Sequence, residues 1–469
     1  MRRTRRPTPR RAGRAGRALA LATALLLAVS AGACATHAEV DPTLAGFASY
    51  DGGPAADPAE AAQSAVEDVD AYWHRTYPDT YGSDFPDLTG GFHPYGPDTE
   101  MPPCGQPPPA YADIADNAFY CPTNDLIAWD EAELIPWVNE NFGAFTIGIV
   151  FAHEYAHAVQ VRVGAEGRTI DLELQADCFA GAWTRDVVDG HSALFSIDEA
   201  GLDRSVAGLI AISDMPGTPA DDPLAHGSGF DRIGAFLDGY DGGPGTCADY
   251  QGTQRRTVEV PFTPGTEQAN SGNLPLEGDG GLLAVIGDDL NAFYDVLFGE
   301  LGRTFAPVAD LAVVDPASDS VSCGGERLSG DELSYAALYC ADENVVVLDG
   351  SGLVPALYEI GDFAVAAEIA RLWAQAAQAQ LGLGEGKEQS LQADCLTGVW
   401  VLWTFPDTRG PRSGSLVLSP GDLDEGIMGF LAYGQDIVDQ AGTVFERTEA
   451  LRTGFVEGRD ACEAYAPLA

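Results

Sequence analysis

Apolar and polar positions alternate along this chain in patterns that predict a small number of elements. Residues 18–33, ALALATALLLAVSAGA, are apolar and then small. That run is shorter than the roughly 20 residues a membrane span needs. Ala118–Cys121 and Leu126–Asp130 are short apolar runs on either side of Pro122-Thr123-Asn124-Asp125, a hairpin signal. Leu126–Asp130 is a candidate edge strand that could pair with an extended peptide, or an ordinary strand of the sheet. Phe145–Val161 predicts a buried helix and Asp171–Arg185 a second one. Leu202–Ile212 and Asp231–Leu237 predict a third and a fourth. Helices beside a small antiparallel sheet make an α+β arrangement. No other run is long, apolar and free of charge, so no transmembrane helix is expected in the mature chain.

The pattern is written twice. Cys104-Gly105 precedes Phe119-Tyr120-Cys121, and Cys323-Gly324 precedes Leu338-Tyr339-Cys340. LQADC at 174–178 recurs at 391–395, followed each time by Gly and Trp (Gly181 and Trp183, Gly398 and Trp400). Cys247 and Cys462 close the two units, and the second hairpin carries the more hydrophobic strand Val345–Leu348. A fixed offset of this kind indicates a tandem duplication. The expected organisation is a signal peptide at 1–33, a Pro/Gly/Ala/Asp tether at 34–63, a first copy at 64–250, a linker at 251–279 and a second copy at 280–466.

Charge and cysteines narrow the setting. The chain has 469 residues, 71 acids against 25 bases, and a formal charge of −46. Such acidity disfavours nucleic acid and anionic membrane surfaces as partners. Eight arginines stand before residue 18, giving the leader the basic front of a secretory signal. Ala31-Gly32-Ala33-Cys34 resembles a lipoprotein cleavage box, although Ala31 and Ala33 also fit plain secretion. Eight of the nine cysteines fall four to a copy, which leaves Cys34 odd. An odd cysteine in an exported chain needs an explanation, and lipidation at Cys34 supplies one. The expected location is therefore outside the cytoplasm, at the membrane only through that anchor. Four cysteines allow three pairings, and the simplest bonds Cys104 to Cys121, Cys178 to Cys247, Cys323 to Cys340 and Cys395 to Cys462.

Residues 153–157 read His-Glu-Tyr-Ala-His. Positions i and i+4 share a helix face, so His153 and His157 can hold one metal while Glu154 reaches the water it carries. A catalytic zinc takes a third protein ligand and leaves a fourth position open. Glu173, on the next predicted helix, is the candidate. Asp177 follows one turn later and could accept the free ring N–H of a ligand histidine.

These residues resemble the bacterial neutral zinc metallopeptidase family, whose pattern is FYC…HExxHxxQ…ELQADCxAGxW…HG…R…C. The chain carries Phe119-Tyr120-Cys121, His153 to His157 with Gln160, Glu173 to Cys178 with Ala180, Gly181 and Trp183, then His226-Gly227-Ser228, Arg232 and Cys247. Ser213-Asp214 stands where the family has Gly-Asp-Asp. The resemblance implies a zincin-like, gluzincin-type helical domain that hydrolyses peptide bonds of a peptide or protein substrate. It implies one Zn2+ on His153, His157 and Glu173, with Glu154 as general base. His226 is a candidate for stabilising the oxyanion, or a loop or cap histidine. Tyr155 points off the ligand face, into the core.

Aligned by sequence, His153–His157 falls on Ala367-Glu368-Ile369-Ala370-Arg371 and Glu173 on Ser390, so the second copy lacks every ligand. All seven histidines lie at or before residue 226. Arg371 is expected to place its guanidinium where the metal would sit and to pair with Asp394 or Glu368. The sequence thus predicts an exported zinc peptidase with one site and a pseudoenzyme repeat. A non-catalytic envelope protein with a structural zinc, or a zinc hydrolase for another bond, are the alternatives.

Overall fold

The computed structural model describes residues 57–255, 257–258, 260, 262, 272–405, 416–433 and 441–468. The expected signal peptide, Cys34 and most of the tether lie outside them. Helix α1 spans Pro58–Tyr81, so the last residues assigned to the tether are helical. The reason is local. Asp57 accepts hydrogen bonds from the Ala59 and Glu60 amides, and Pro58 sits where a helix needs no N–H donor.

The first copy continues with β1 (Gly91–Tyr95), β2 (Ala118–Cys121), β3 (Leu126–Asp130), α2 (Leu134–Phe142), α3 (Ala144–Val163), α4 (Thr169–Val188), α5 (Glu199–Ala211) and α6 (Gly229–Ala248). All four predicted helices form, each reaching at least as far toward its N-terminus as the pattern indicated. The last is much longer than Asp231–Leu237 and kinks at Gly243, before Pro244. The sheet differs from expectation. It is mixed rather than antiparallel, because β1 pairs with β3 in parallel while β2 pairs with it antiparallel. Leu126–Asp130 is therefore the central strand, buried throughout, and cannot serve as an edge. Pro94 sits in β1 at the rim, where a missing N–H is tolerated.

Helix α3 is apolar nearly all round, and such a helix belongs in the interior. It packs between α1 and α4, with β2 across its flank. Two glycines set the distance between α4 and α6. A Cβ on Gly181 would overlap the carbonyl of Phe236, and one on Gly239 would overlap that of Cys178. The Cys178–Cys247 disulfide ties the same two helices, and Cys104–Cys121 ties the loop between β1 and β2 to β2 itself.

The second copy repeats this plan with α7 (Leu282–Glu300), β4 (Asp310–Val314), an added hairpin of β5 (Ser320–Cys323) and β6 (Glu326–Ser329), β7 (Ala337–Cys340), β8 (Val345–Asp349), α8 (Leu353–Ile360), α9 (Asp362–Leu381), α10 (Lys387–Thr404), α11 (Asp422–Tyr433) and α12 (Val444–Glu457). Its sheet repeats the order, β4 parallel and β7 antiparallel to β8. Gly398 and Gly454 repeat the close helix approach. Cys323–Cys340 and Cys395–Cys462 repeat the disulfides, so all four expected pairings occur.

The copies cap one another. Asp424 of α11 accepts the Gly229 and Phe230 amides at the start of α6 (3.0 and 2.7 Å). Reciprocally, Asp203 of α5 accepts the Phe445 amide at the start of α12 (2.8 Å). The contacts are reciprocal, as in an isologous interface: equivalent helices of the two copies each cap the other copy's equivalent helix start. Burial pushes both carboxyls up to about 6, against their backbone donors. Asp231, buried beside Asp424, is pushed up to about 7. Each therefore binds its proton more tightly folded than unfolded. Their contribution to stability is fullest below the ordinary carboxylate range and drains as pH rises through about 6 to 7. Thermal melts are expected to show a Tm several degrees higher near about pH 5.5 than near about pH 8. An Asp203→Asn/Asp424→Asn double variant should flatten that slope.

Candidate metal centre

Helices α3 and α4 bring His153, His157 and Glu173 together. One donor atom from each lies within 4.8 Å of the others. His153 Nε2 is 3.1 Å and His157 Nε2 is 3.5 Å from Glu173 Oε2, and the two imidazole nitrogens are 3.2 Å apart. His153 and Glu173 are buried, and His157 is partly open.

The other ring nitrogens are spoken for. His153 Nδ1 lies 2.8 Å from Asp177 Oδ1. His157 Nδ1 lies 2.9 Å from Gln160 Oε1. The Gln160 amide cannot turn over, because its Nε2 donates to the Leu172 carbonyl and to Gln175 Oε1 (2.6 and 3.1 Å). Both Nδ1 atoms must therefore donate, which directs both Nε2 lone pairs at Glu173 Oε2. With both imidazoles neutral, three lone pairs would converge in a buried site, where either a proton or a metal ion relieves their repulsion. For zinc, bonds of about 2.0–2.1 Å at tetrahedral angles put neighbouring donors roughly 3.3–3.4 Å apart. The observed spacings of 3.1, 3.2 and 3.5 Å bracket that value, so these residues fit the ion.

Electrostatics point the same way. Burial lowers the His153 pKa, but the Asp177 and Glu173 carboxylates outweigh it and push the imidazole up to about 10. Burial raises Glu173, and the two imidazoles more than reverse this, holding it well below the usual carboxylate range. Burial also raises Glu154, with partial relief from His157 and His153. Glu154 Oε2 accepts the Tyr120 amide of β2 at 2.9 Å, which holds the carboxylate against the sheet.

Asp177 has two jobs. Besides His153 it takes both arms of Arg232, at 2.8 Å each, entirely out of solvent. Arg232 was present in the sequence motif, but its partner across α6 was not readable there. His226 is held by Asp214. Its amide and Nδ1 meet Asp214 (2.7 and 3.3 Å), as does the Gly227 amide, fixing the turn before Ser228 caps α6. These bonds show the loop role of His226 and leave its Nε2 outside them. Asp214 is the residue kept where Ser213 departs from the family pattern. Tyr155 is core as expected, its hydroxyl bonded to Asp70.

The second copy corrects the alignment by one helical turn. Helices α3 and α9 have equal length, and each starts after a glycine, Gly143 and Gly361. Gln378 bonds the Gln389 carbonyl and Gln392 as Gln160 bonds Leu172 and Gln175. On this footing Arg371 replaces His153, Leu372 replaces Glu154 and Gln375 replaces His157. Arg371 pairs with Glu368 at 2.8 Å. Asp394 is instead held by Arg447 at 2.9 Å, the counterpart of Arg232 and Asp177.

No protein-family model and no solved structure matches the chain. It is similar to the uncharacterized protein YpfJ of Escherichia coli (strain K12), 30% identical over 162 residues, 28% of this chain and 52% of that protein. It is also similar to the uncharacterized protein Rv2575 of Mycobacterium tuberculosis (strain H37Rv), 28% identical over 171 residues, 31% of this chain and 57% of that one. The chain thus spans about half the length of the curated relatives it matches.

Proposed function

We propose that this protein is a zinc-dependent peptidase of zincin-like type, with one centre in the first copy and none of that kind in the second. The observation that carries the reading is the forced orientation of two histidines, whose Nε2 atoms converge with Glu173 Oε2 at tetrahedral spacing. His153, His157 and Glu173 hold the ion, and Asp177 and Gln160 fix the tautomers of the two imidazoles. Bound zinc would supply Lewis-acid polarisation of a water and a substrate carbonyl. Glu154, buried beside the donors, would serve as the base that accepts a proton from the attacking water and returns it to the leaving amine. With three protein donors and no free cysteine beside them, the set suits an open catalytic site better than a closed structural one.

The test is zinc content and cleavage of an unfolded protein substrate, for wild type and for a His153→Ala/His157→Ala variant. Wild type should carry one zinc and cleave, and a chelator should abolish cleavage until zinc is restored. The double variant should carry none. Zinc retained without the histidines would sink the assignment. Zinc bound with no cleavage would favour a non-catalytic protein. The leader, the lipid at Cys34 and export belong to the same proposal. The four disulfides support it, because disulfides persist in oxidising compartments. No helix among the described residues is long and apolar enough to cross a membrane.

A further inference from the structure

A second cluster of donors lies in the second copy. Asp362 opens α9, and Asp422 and Glu425 share the first turn of α11. One carboxylate oxygen from each lies within 4.8 Å of the others. All three side chains are more than nine-tenths buried, at 6%, 5% and 7% exposure. Asp422 accepts the Ser419 amide at 2.7 Å, and Glu425 accepts the Phe363 amide at 3.1 Å. Asp362 Oδ2 accepts the Leu274 amide at 2.8 Å, but its Oδ1 is buried with no donor. Among the described residues no arginine, lysine or histidine forms an ion pair with any of the three.

Three carboxylates this close repel one another, and burial strengthens the repulsion. Burial and the neighbouring carboxylates drive Asp422 and Glu425 well above the usual range. The backbone is nevertheless shaped to receive them. A Cβ at Gly361 would collide with the Glu425 carboxylate. Nothing comparable stands in the first copy. The reciprocal caps match Asp424 with Asp203, so Asp422 and Glu425 correspond to Gly201 and Arg204, and Asp362 to Ala144. The trio is thus particular to the copy that has no zinc ligands.

We propose that Asp362, Asp422 and Glu425 form a calcium site in the second copy. The donors are all oxygen, which selects a hard cation. Three carboxylates in a buried protein cage suit calcium, which tolerates irregular coordination, better than magnesium, which keeps several waters. The ion would pin the first turn of α11 to the start of α9. That turn also carries Asp424, which caps α6 of the first copy beside His226 and Gly227. Calcium would therefore brace the interface between the copies.

The test is calorimetric titration of the full zinc-loaded chain, dialysed free of calcium, with CaCl2 and separately with MgCl2, alongside thermal melts. The same is done for Asp422→Asn/Glu425→Gln and for Asp362→Asn. Wild type should take up one calcium saturably and gain several degrees in Tm, with a smaller response to magnesium. The amide variants, relieved of repulsion, should melt no lower than calcium-free wild type and show no calcium response. Equal gains in wild type and variants would mean screening of the acidic surface and would overturn the site. Equal or tighter magnesium binding would overturn the choice of ion. The wild-type titration decides even if a variant fails to fold, because absence of saturable calcium binding refutes the proposal.

Discussion

Glu154→Gln is expected to bind one zinc as wild type does and to lose peptidase turnover on the order of a thousandfold. The reason lies in where the side chain stands. It is next to His153 in the sequence but is not among the three converging donors. Its Oε2 accepts the Tyr120 amide, a bond that a glutamine carbonyl oxygen preserves. The substitution therefore keeps shape, burial and ligands, and removes only the ability to take up a proton. His157→Ala should instead lose the metal and the activity together. Metal analysis beside a turnover assay separates the two. A glutamine variant with wild-type turnover would remove Glu154 from the chemistry and leave the zinc assignment intact.

Much of this centre was legible because its chemistry is local. The spacing of His153 and His157 fixes a shared helix face, and Glu173 and Asp177 lie four apart on the next helix. What escaped the sequence depends on contacts made across the fold. Strand β1 was not expected, because GFHPY is short, contains proline, and pairs with a partner more than thirty residues later. The parallel pairing then turned a supposed edge strand into the middle of the sheet. The one-turn error in the second copy arose because alanine-rich α9 offers a Glu368 that imitates Glu154. Gln378, which keeps its predecessor's bonds, gives the true register. The reciprocal caps were invisible, since Asp203 and Asp424 are two acids among 71 until the copies are docked. They also give the repeat a purpose without catalysis, because the first copy's α6 begins on a residue of the second.

Arg232→Leu should cost about 3–5 kcal/mol of stability, because it takes the bidentate, permanently charged partner from the fully buried Asp177 and leaves it the single bond to His153. It should also weaken zinc binding, roughly 10–100-fold, since Asp177 would no longer be held to orient His153. Arg447→Leu removes the equivalent partner of Asp394 in the second copy. There Arg371 remains close enough for its charge to act on Asp394, so the loss of stability should be smaller. No metal ligand hangs from Asp394, so zinc affinity should not change. Denaturant unfolding measures the first quantity, and competition against a chromophoric chelator measures the second. The pair of variants separates two roles that coincide in Asp177. If both weaken zinc equally, the effect is general softening of the fold, and the His153–Asp177–Arg232 chain has no special hold on the metal. If only Arg232→Leu does, the same buried ion pair has been kept in two copies for different reasons, as a core contact in one and as the support of a ligand in the other.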